Sequence, residues 1–226
     1  MHVAELWRYP VKSLKGEQLE EVDAGAEGVA SDRLVHVRNS SMRVITSRTH
    51  PRLLALQGTL GADGDALIYG RPWQADKSRA AVRSAAGDDA ELVAYDGLDR
   101  FDVLPLSIAT DGAIAAIGVD RRRFRPNILI AGVEGLAERT WPGRHLRIGE
   151  TLIAVARLRP RCVMTTYHPD TQEQDHSILR RIVRDFGGAL SLDCAVVEPG
   201  RIKVGDPVEL VRSAAPQASL RANRHN

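Results

Sequence analysis

Residues 144–162 read RHLRIGETLIAVARLRPRC, and the fold class turns on whether that stretch is strand or helix. Apolar residues recur with a period of two before Gly149 and run on after Glu150, which predicts a β-hairpin turning at those two residues. Beyond the turn, Arg157, Arg159 and Arg161 alternate, so an extended strand puts them on the face opposite Leu158 and Pro160. On a straight strand Cys162 falls on the Leu158 face. If the strand bends, nearby guanidinium groups favour its thiolate over its thiol.

The period of two continues through the first eighty residues. VAELWRY (3–9) alternates, QLEEVDAG (18–25) is a strand entering a turn, and RLVHVRN (33–39) and MRVITS (42–47) repeat the pattern. LLALQGTLGADGDALIYGRPW (53–73) predicts two strands joined through GADGD. No helical spacing persists here, so residues 1–82 are expected to form a small β-barrel-like, all-β domain.

From about residue 100 the pattern mixes. LSIATDGAIAAIG (106–118) is read as a short helix with Ser107 or Thr110 near its start and Gly118 after its end. FRPNILIAG (124–132) predicts a buried strand with Pro126 near its beginning. DHSILRRIVRDFGG (175–188) carries apolar residues at 178, 179, 182, 183 and 186, one helical face that closes on glycines. ALSLDCAVVEPG (189–200) and VGDPVELV (204–211) return to strand. Residues 83–212 are expected to form a second, barrel-like domain and residues 213–226 a disordered tail. The fold class is α+β, mainly β.

A chain of 226 residues buries enough surface to need no disulfide or metal staple. Its two cysteines make no disulfide framework. A net charge of +2 argues against general nucleic-acid or membrane binding. An aromatic content of 4% leaves few platforms for stacking single strands. No stretch approaches the roughly 20 apolar residues of a membrane span, and the first thirty residues lack a signal-peptide core. A soluble, reducing, cytoplasmic setting is the expectation.

Cys162 stands open to three readings at this point: a reactive thiol, a metal-bound thiolate or an inert core residue. Cys194, in the strand-like LSLDCAVV, reads as core. Thr165, Thr166, His168 and Asp170 follow Cys162 directly and offer a polar pocket, although His168 also suits a plain turn. Neither CxxC, HxxxH, GxGxxG nor a P-loop occurs. YPVKSLKG (9–16) offers Lys12 and Ser13, SDRL (31–34) offers Arg33, and RRRFRPN (121–127) offers Arg125 and Asn127. Each is either a solvated surface group or part of a phosphate cradle. A charge-assisted hydrogen bond contributes about 1.5–3 kcal/mol, so two or three together hold a dianion where one does not.

Taken in order, LWRYPVKSLKG, DRLVHV, FRPNILI, RCVMTTYHPDT and GRIKVGDPVEL resemble the MOSC proteins, and more closely the two-part group that includes the amidoxime-reducing components. The resemblance spans nearly all of residues 1–212. It implies a MOSC β-barrel domain at the amino terminus followed by a MOSC domain. It implies a molybdenum cofactor of molybdopterin type, with Cys162 as the metal ligand. Lys12, Ser13 and Arg33 match positions that contact the pterin and its phosphate, and Arg125 and Asn127 match a segment beside the cofactor. Thr165, Thr166 and Asp170 match the loop near the metal. The implied activity is reduction of N-hydroxylated compounds with electrons from a separate electron-transfer protein. This chain reads YHPDTQ where those reductases read VDPDTG, so Tyr167 and His168 alter the rim of the pocket. Two other classes stay open: a cofactor or sulfur carrier without turnover, and a β-barrel binding module whose Cys162 is structural.

Overall fold

The computed structural model describes residues 1–95 and 100–212, so the tail expected at 213–226 lies outside the described residues. The chain opens with β1 (His2–Arg8), β2 (Glu17–Leu19), β3 (Glu21–Gly25), β4 (Gly28–Val29), β5 (Val35–Arg38) and β6 (Val44–Ile45). There follow β7 (Gly58–Leu60), β8 (Ala66–Ile68), β9 (Arg71–Pro72), α1 (Asp76–Ala86) and β10 (Glu91–Ala94). The second half runs β11 (Leu106–Thr110), α2 (Asp111–Ile117), β12 (Ile128–Ala131), β13 (His145–Ile148) and β14 (Thr151–Pro160). It closes with α3 (His176–Phe186), β15 (Ala189–Glu198), β16 (Gly200–Lys203) and β17 (Val208–Val211). The class is α+β and mainly β, as the sequence patterns predict.

The expected hairpin is present, with β13 pairing antiparallel to β14 across Gly149 and Glu150. It belongs to an eight-stranded sheet ordered β17-β13-β14-β15-β11-β12-β1-β2. Three three-stranded sheets surround it: β10-β5-β6, β16-β3-β4 and β7-β8-β9. β1 pairs with β12, and β3 with β16, so strands from both ends of the chain share sheets. One apolar core packs on the large sheet around Leu6, Ile108, Ile130, Ile148 and Leu192. A second, around Leu14, Val37, Leu53 and Val82, fills the space between the small sheets and α1.

Two elements differ most from the sequence reading, and the strand expected from residue 53 begins only at Gly58, after a 3-10 turn over Pro51–Ala55. LSIATDGAIAAIG is half strand and half helix. Leu106–Thr110 lies between β15 and β12 and is buried throughout, so it shows no alternation to mark it as strand. The parallel β11–β12 pair requires a crossover, and α2 supplies its first part. Thr110 caps that helix by accepting from the Ala113 amide, and Gly118 ends it in the left-handed conformation. Gly112 is forced here, because a Cβ would stand 2.2 Å from the Gly135 carbonyl oxygen. The other difference is α1, which the reading of residues 1–82 as all β did not include. Its buried face is Ser78, Val82 and Ala86, too small and too polar to register as an apolar stripe. The helix at 176–186 agrees with its expectation. Ile178, Ile182 and Phe186 face the core, while Val183 turns to solvent.

Beneath the cavity described below lies a buried polar knot. Asp32 Oδ1 accepts from the Tyr9 amide at 2.6 Å, and Asn127 Nδ2 donates to Asp32 Oδ2 at 3.3 Å. Asn127 Oδ1 also accepts from the Ser107 amide at 3.1 Å. One amide side chain thereby ties the ends of β1, β11 and β12 to the loop before β5. Replacing it removes the hydrogen bond to Asp32 Oδ2 and the acceptor of the Ser107 amide, while the Tyr9 amide stays on Asp32 Oδ1. Asn127→Ala is expected to lower the free energy of unfolding by about 1–3 kcal/mol in denaturant titrations. An unchanged midpoint with an unchanged slope contradicts this role.

Candidate functional site

β14 does not stay regular to its end. Its pairing with β15 slips between Val155 and Arg157 and again between Leu158 and Pro160. The bends bring Arg157 and Arg159 onto one fully buried carboxylate: Asp193 Oδ2 lies 3.1 Å from Arg157 Nε, and its Oδ1 lies 2.5 Å from Arg159 Nη1. The chain leaves the sheet after Pro160, and Arg161 departs from the other two arginines. Its guanidinium stands 5.1 Å from the Phe124 ring centroid, and Nη2 donates to the Phe124 carbonyl at 2.9 Å. Cys162, partly exposed, then opens a single 3-10 turn, Val163–Thr166. The thiol therefore sits at a bend beside guanidinium groups and not on the Leu158 core face.

The turn is held from within. The Cys162 carbonyl accepts from the Thr165 amide at 3.1 Å and from Thr165 Oγ1 at 2.9 Å. Thr166 Oγ1 donates to the Val163 carbonyl at 2.6 Å and accepts from Gln174 Nε2 at 3.1 Å. Both threonines are fully buried, and their hydroxyls fix the backbone that presents the thiol.

Cys162 lines a cavity of about 120 Å³ together with Lys12, Ser13, Arg33 and Arg125. Five of the residues singled out in the sequence thus converge from positions as far apart as 12 and 162. Ser13, Arg33 and Arg125 all hold positive φ (74°, 55° and 49°), a conformation that non-glycine residues adopt at a cost and that clusters at functional sites. The remaining four lie around the cavity. Asn127 belongs to the polar knot below it, and Thr165 and Thr166 to the turn. Asp170 is an exposed carboxylate held by Lys15 Nζ at 2.9 Å and by Arg122 Nη2 at 2.7 Å. His168 serves the loop, its Nδ1 receiving the Asp170 and Thr171 amides at 3.2 and 3.3 Å. Tyr167 is buried and lines a smaller adjoining pocket with Trp7, Tyr9, Pro169 and Met164. The two spaces share Arg123, Arg125 and Met164.

The sequence reading did not place Arg48, Asp102, Arg123, Arg159, Arg161 and Met164 at the site, yet all line the cavity. Arg159, Arg161 and Met164 had a local signal in their closeness to Cys162, and Arg123 in the RRRFRPN cluster; Arg48 and Asp102 come from the fold. Charge in this cavity is unbalanced. Among the described residues that line it, Asp102 is the one carboxylate. Arg125 stacks on the Tyr9 ring at 4.1 Å and, among the described residues, has no carboxylate partner. Burial pushes its guanidinium below the usual range, as it does for Arg123. Arg161 is the extreme case. Its Nε and Nη1 are sealed from solvent with no hydrogen-bond partner among the described residues. Burial, and then the neighbouring Arg159 charge, push it down to about 9. It still carries its charge at neutral pH. A half-buried guanidinium with two sealed, idle nitrogens beside a partly exposed thiol is a site suited to an anion that also bears something the sulfur can bind.

Residues 106–209 match the MOSC domain and residues 1–99 the MOSC N-terminal beta barrel domain, and the chain belongs to this two-part MOSC family. Among its relatives is the human mitochondrial amidoxime-reducing component 1, 27% identical over 92% of this chain and 82% of that protein. The human mitochondrial amidoxime reducing component 2 is 25% identical over 91% of this chain and 82% of that protein. The YuaD protein of Bacillus subtilis shares the fold, with a TM-score of 0.52 at 14% identity over 94% of this chain and 96% of that one.

The two cysteines should differ in reactivity. Cys194 is fully buried, and burial pushes its thiol well above the usual range. A short alkylating reagent on the native chain is expected to modify Cys162 and spare Cys194 by peptide mass spectrometry. Modification of Cys194 at a comparable rate contradicts the placement of the two thiols.

Proposed function

We propose that the cavity binds a molybdenum cofactor of molybdopterin type and that the chain uses it to reduce N-hydroxylated compounds, with electrons from a separate donor protein. The observation that carries this reading is the partly exposed Cys162 thiol in a cavity also lined by Arg161, two of whose nitrogens are sealed without a partner among the described residues. The kinship with proteins named amidoxime-reducing components supports the choice of substrate class.

The residues present fit such a group. Among the described residues no three His, Cys, Asp or Glu side chains gather to hold a metal. A metal on Cys162 must therefore bring most of its own ligands, as one carried on a dithiolene does. Bound there, the cofactor supplies two-electron reduction of an N–O bond, with the oxygen leaving as water. Cys162 contributes a soft sulfur ligand. Lys12, Ser13, Arg33, Arg125 and Arg161 offer donors to the cofactor's phosphate and polar edge. Asn127 acts through Asp32 and the strand ends, and Thr165 and Thr166 act through the turn that aims the thiol. Asp170 fastens the 167–172 loop to Lys15 and Arg122, and so holds Tyr167 as a wall of the adjoining pocket through which substrate approaches.

The test is a reduction assay on cofactor-loaded protein, with a reduced viologen dye as donor and a panel of amidoximes and N-hydroxylated bases as acceptors. Wild type is expected to consume dye in proportion to substrate, and Cys162→Ala to fall by roughly 100-fold or more. Equal rates for the two proteins contradict the ligand role. Loaded protein inert towards the whole panel contradicts the reductase reading and leaves a carrier.

A further inference from the structure

Not every cation in the cavity is idle. Asp102 Oδ1 lies 2.8 Å from Lys12 Nζ, and Oδ2 lies 2.6 Å from Arg48 Nη2. Burial alone would raise this carboxyl, but the Lys12 hydrogen bond and the Lys12 and Arg48 charges hold it below the usual range. Asp193 similarly neutralises Arg159 from behind, and Asp32 stands 3.9 Å from Arg33. The two are not equivalent. Asp193 is buried and also holds Arg157, whereas Asp102 itself lines the cavity with a third of its side chain exposed. Its two oxygens occupy donors that lie beside buried Ser13, where a phosphate group would find them.

We propose that Asp102 is a resident counter-ion in the oxyanion seat, displaced when a phosphate-class dianion enters and returning when it leaves. The proposal rests on the reading of the cavity as an anion site given above. A carboxylate offers one charge and two oxygens. A phosphate or pyrophosphate offers more of both, so it gains at Lys12 and Arg48 more than Asp102 loses. A monoanion such as acetate exchanges like for like and gains nothing. Asp102 therefore acts as a specificity residue: it keeps two close cations from repelling each other in the empty cavity and admits dianions over monoanions.

The experiment is calorimetric titration of the cofactor-free full chain with inorganic pyrophosphate, in the presence and absence of acetate. Wild type is expected to bind pyrophosphate with acetate having little effect. Asp102→Asn is expected to bind pyrophosphate about tenfold tighter, because one competing charge-assisted contact is gone. Acetate should now compete in that variant. Asp102→Ala, checked for folding by circular dichroism, is expected to behave the same way. Equal or weaker pyrophosphate binding by both variants overturns the exchange, and Asp102 is then an organiser of Lys12 and Arg48. Absence of pyrophosphate binding in wild type and variants alike overturns the anion seat itself and with it the cofactor reading. Binding that is intact but indifferent to residue 102 removes only the exchange.

Discussion

The guanidinium of Arg161, packed against Phe124 with two of its nitrogens sealed and, among the described residues, unpartnered, sets the terms for the structure around Cys162. Burying an unpaired charge is costly, and proteins neutralise such groups or supply them with a ligand. Here the neighbouring cations are neutralised one by one. Asp193 takes Arg157 and Arg159, Asp32 sits under Arg33, and Asp102 bridges Lys12 and Arg48. Among the described residues Arg123, Arg125 and Arg161 are left over, Arg123 donating only to backbone carbonyls and Arg125 eased by the Tyr9 ring. All three line the cavity together with Cys162. A chain selected for stability alone would place an apolar side chain at 161; an incoming anion gives the cation a purpose.

Two lobes of the chain meet at this remainder. The loop after β1 supplies Lys12 and Ser13, the segment before β5 supplies Arg33, and the 3-10 turn before β12 supplies Arg123 and Arg125. β14 delivers Arg159, Arg161 and Cys162 by bulging out of register. Gly16 lets these parts approach, since a Cβ there would lie 2.4 Å from the Tyr9 ring that supports Arg125. The positive φ angles of Ser13, Arg33 and Arg125 are the local cost of turning three separate loops towards one point.

Much of this was legible in the sequence, for reasons that differ by element. The 145–160 hairpin and the 176–186 helix carry complete signals: the right period, a turn or cap, and glycines at the close. β11 carried none, because a strand buried on both faces reads like a buried helix segment. α1 was illegible because alanine makes a weak stripe. At the site, spacing left Cys162 undecided, and the order of distant motifs supplied the grouping with Lys12, Ser13, Arg33 and Arg125. Thr165 and Thr166 seemed as available to a pocket as any polar pair; the turn's own carbonyls claimed their hydroxyls. Arg48 and Asp102 had no signal at all, since only tertiary packing brings them to the cavity.

The central claim is that one site joins a soft sulfur ligand to a half-buried cation with two sealed, unpartnered nitrogens in order to hold an anionic, metal-bearing cofactor. Quantifying molybdenum and pterin on chain isolated from a cofactor-producing host tests it most directly, with Arg161→Met as the comparison. The account predicts stoichiometric molybdenum and pterin on the wild type and a marked loss of both from a folded Arg161→Met. Wild type that stays free of both after incubation with cofactor, or an Arg161→Met chain loaded as fully as wild type, contradicts it.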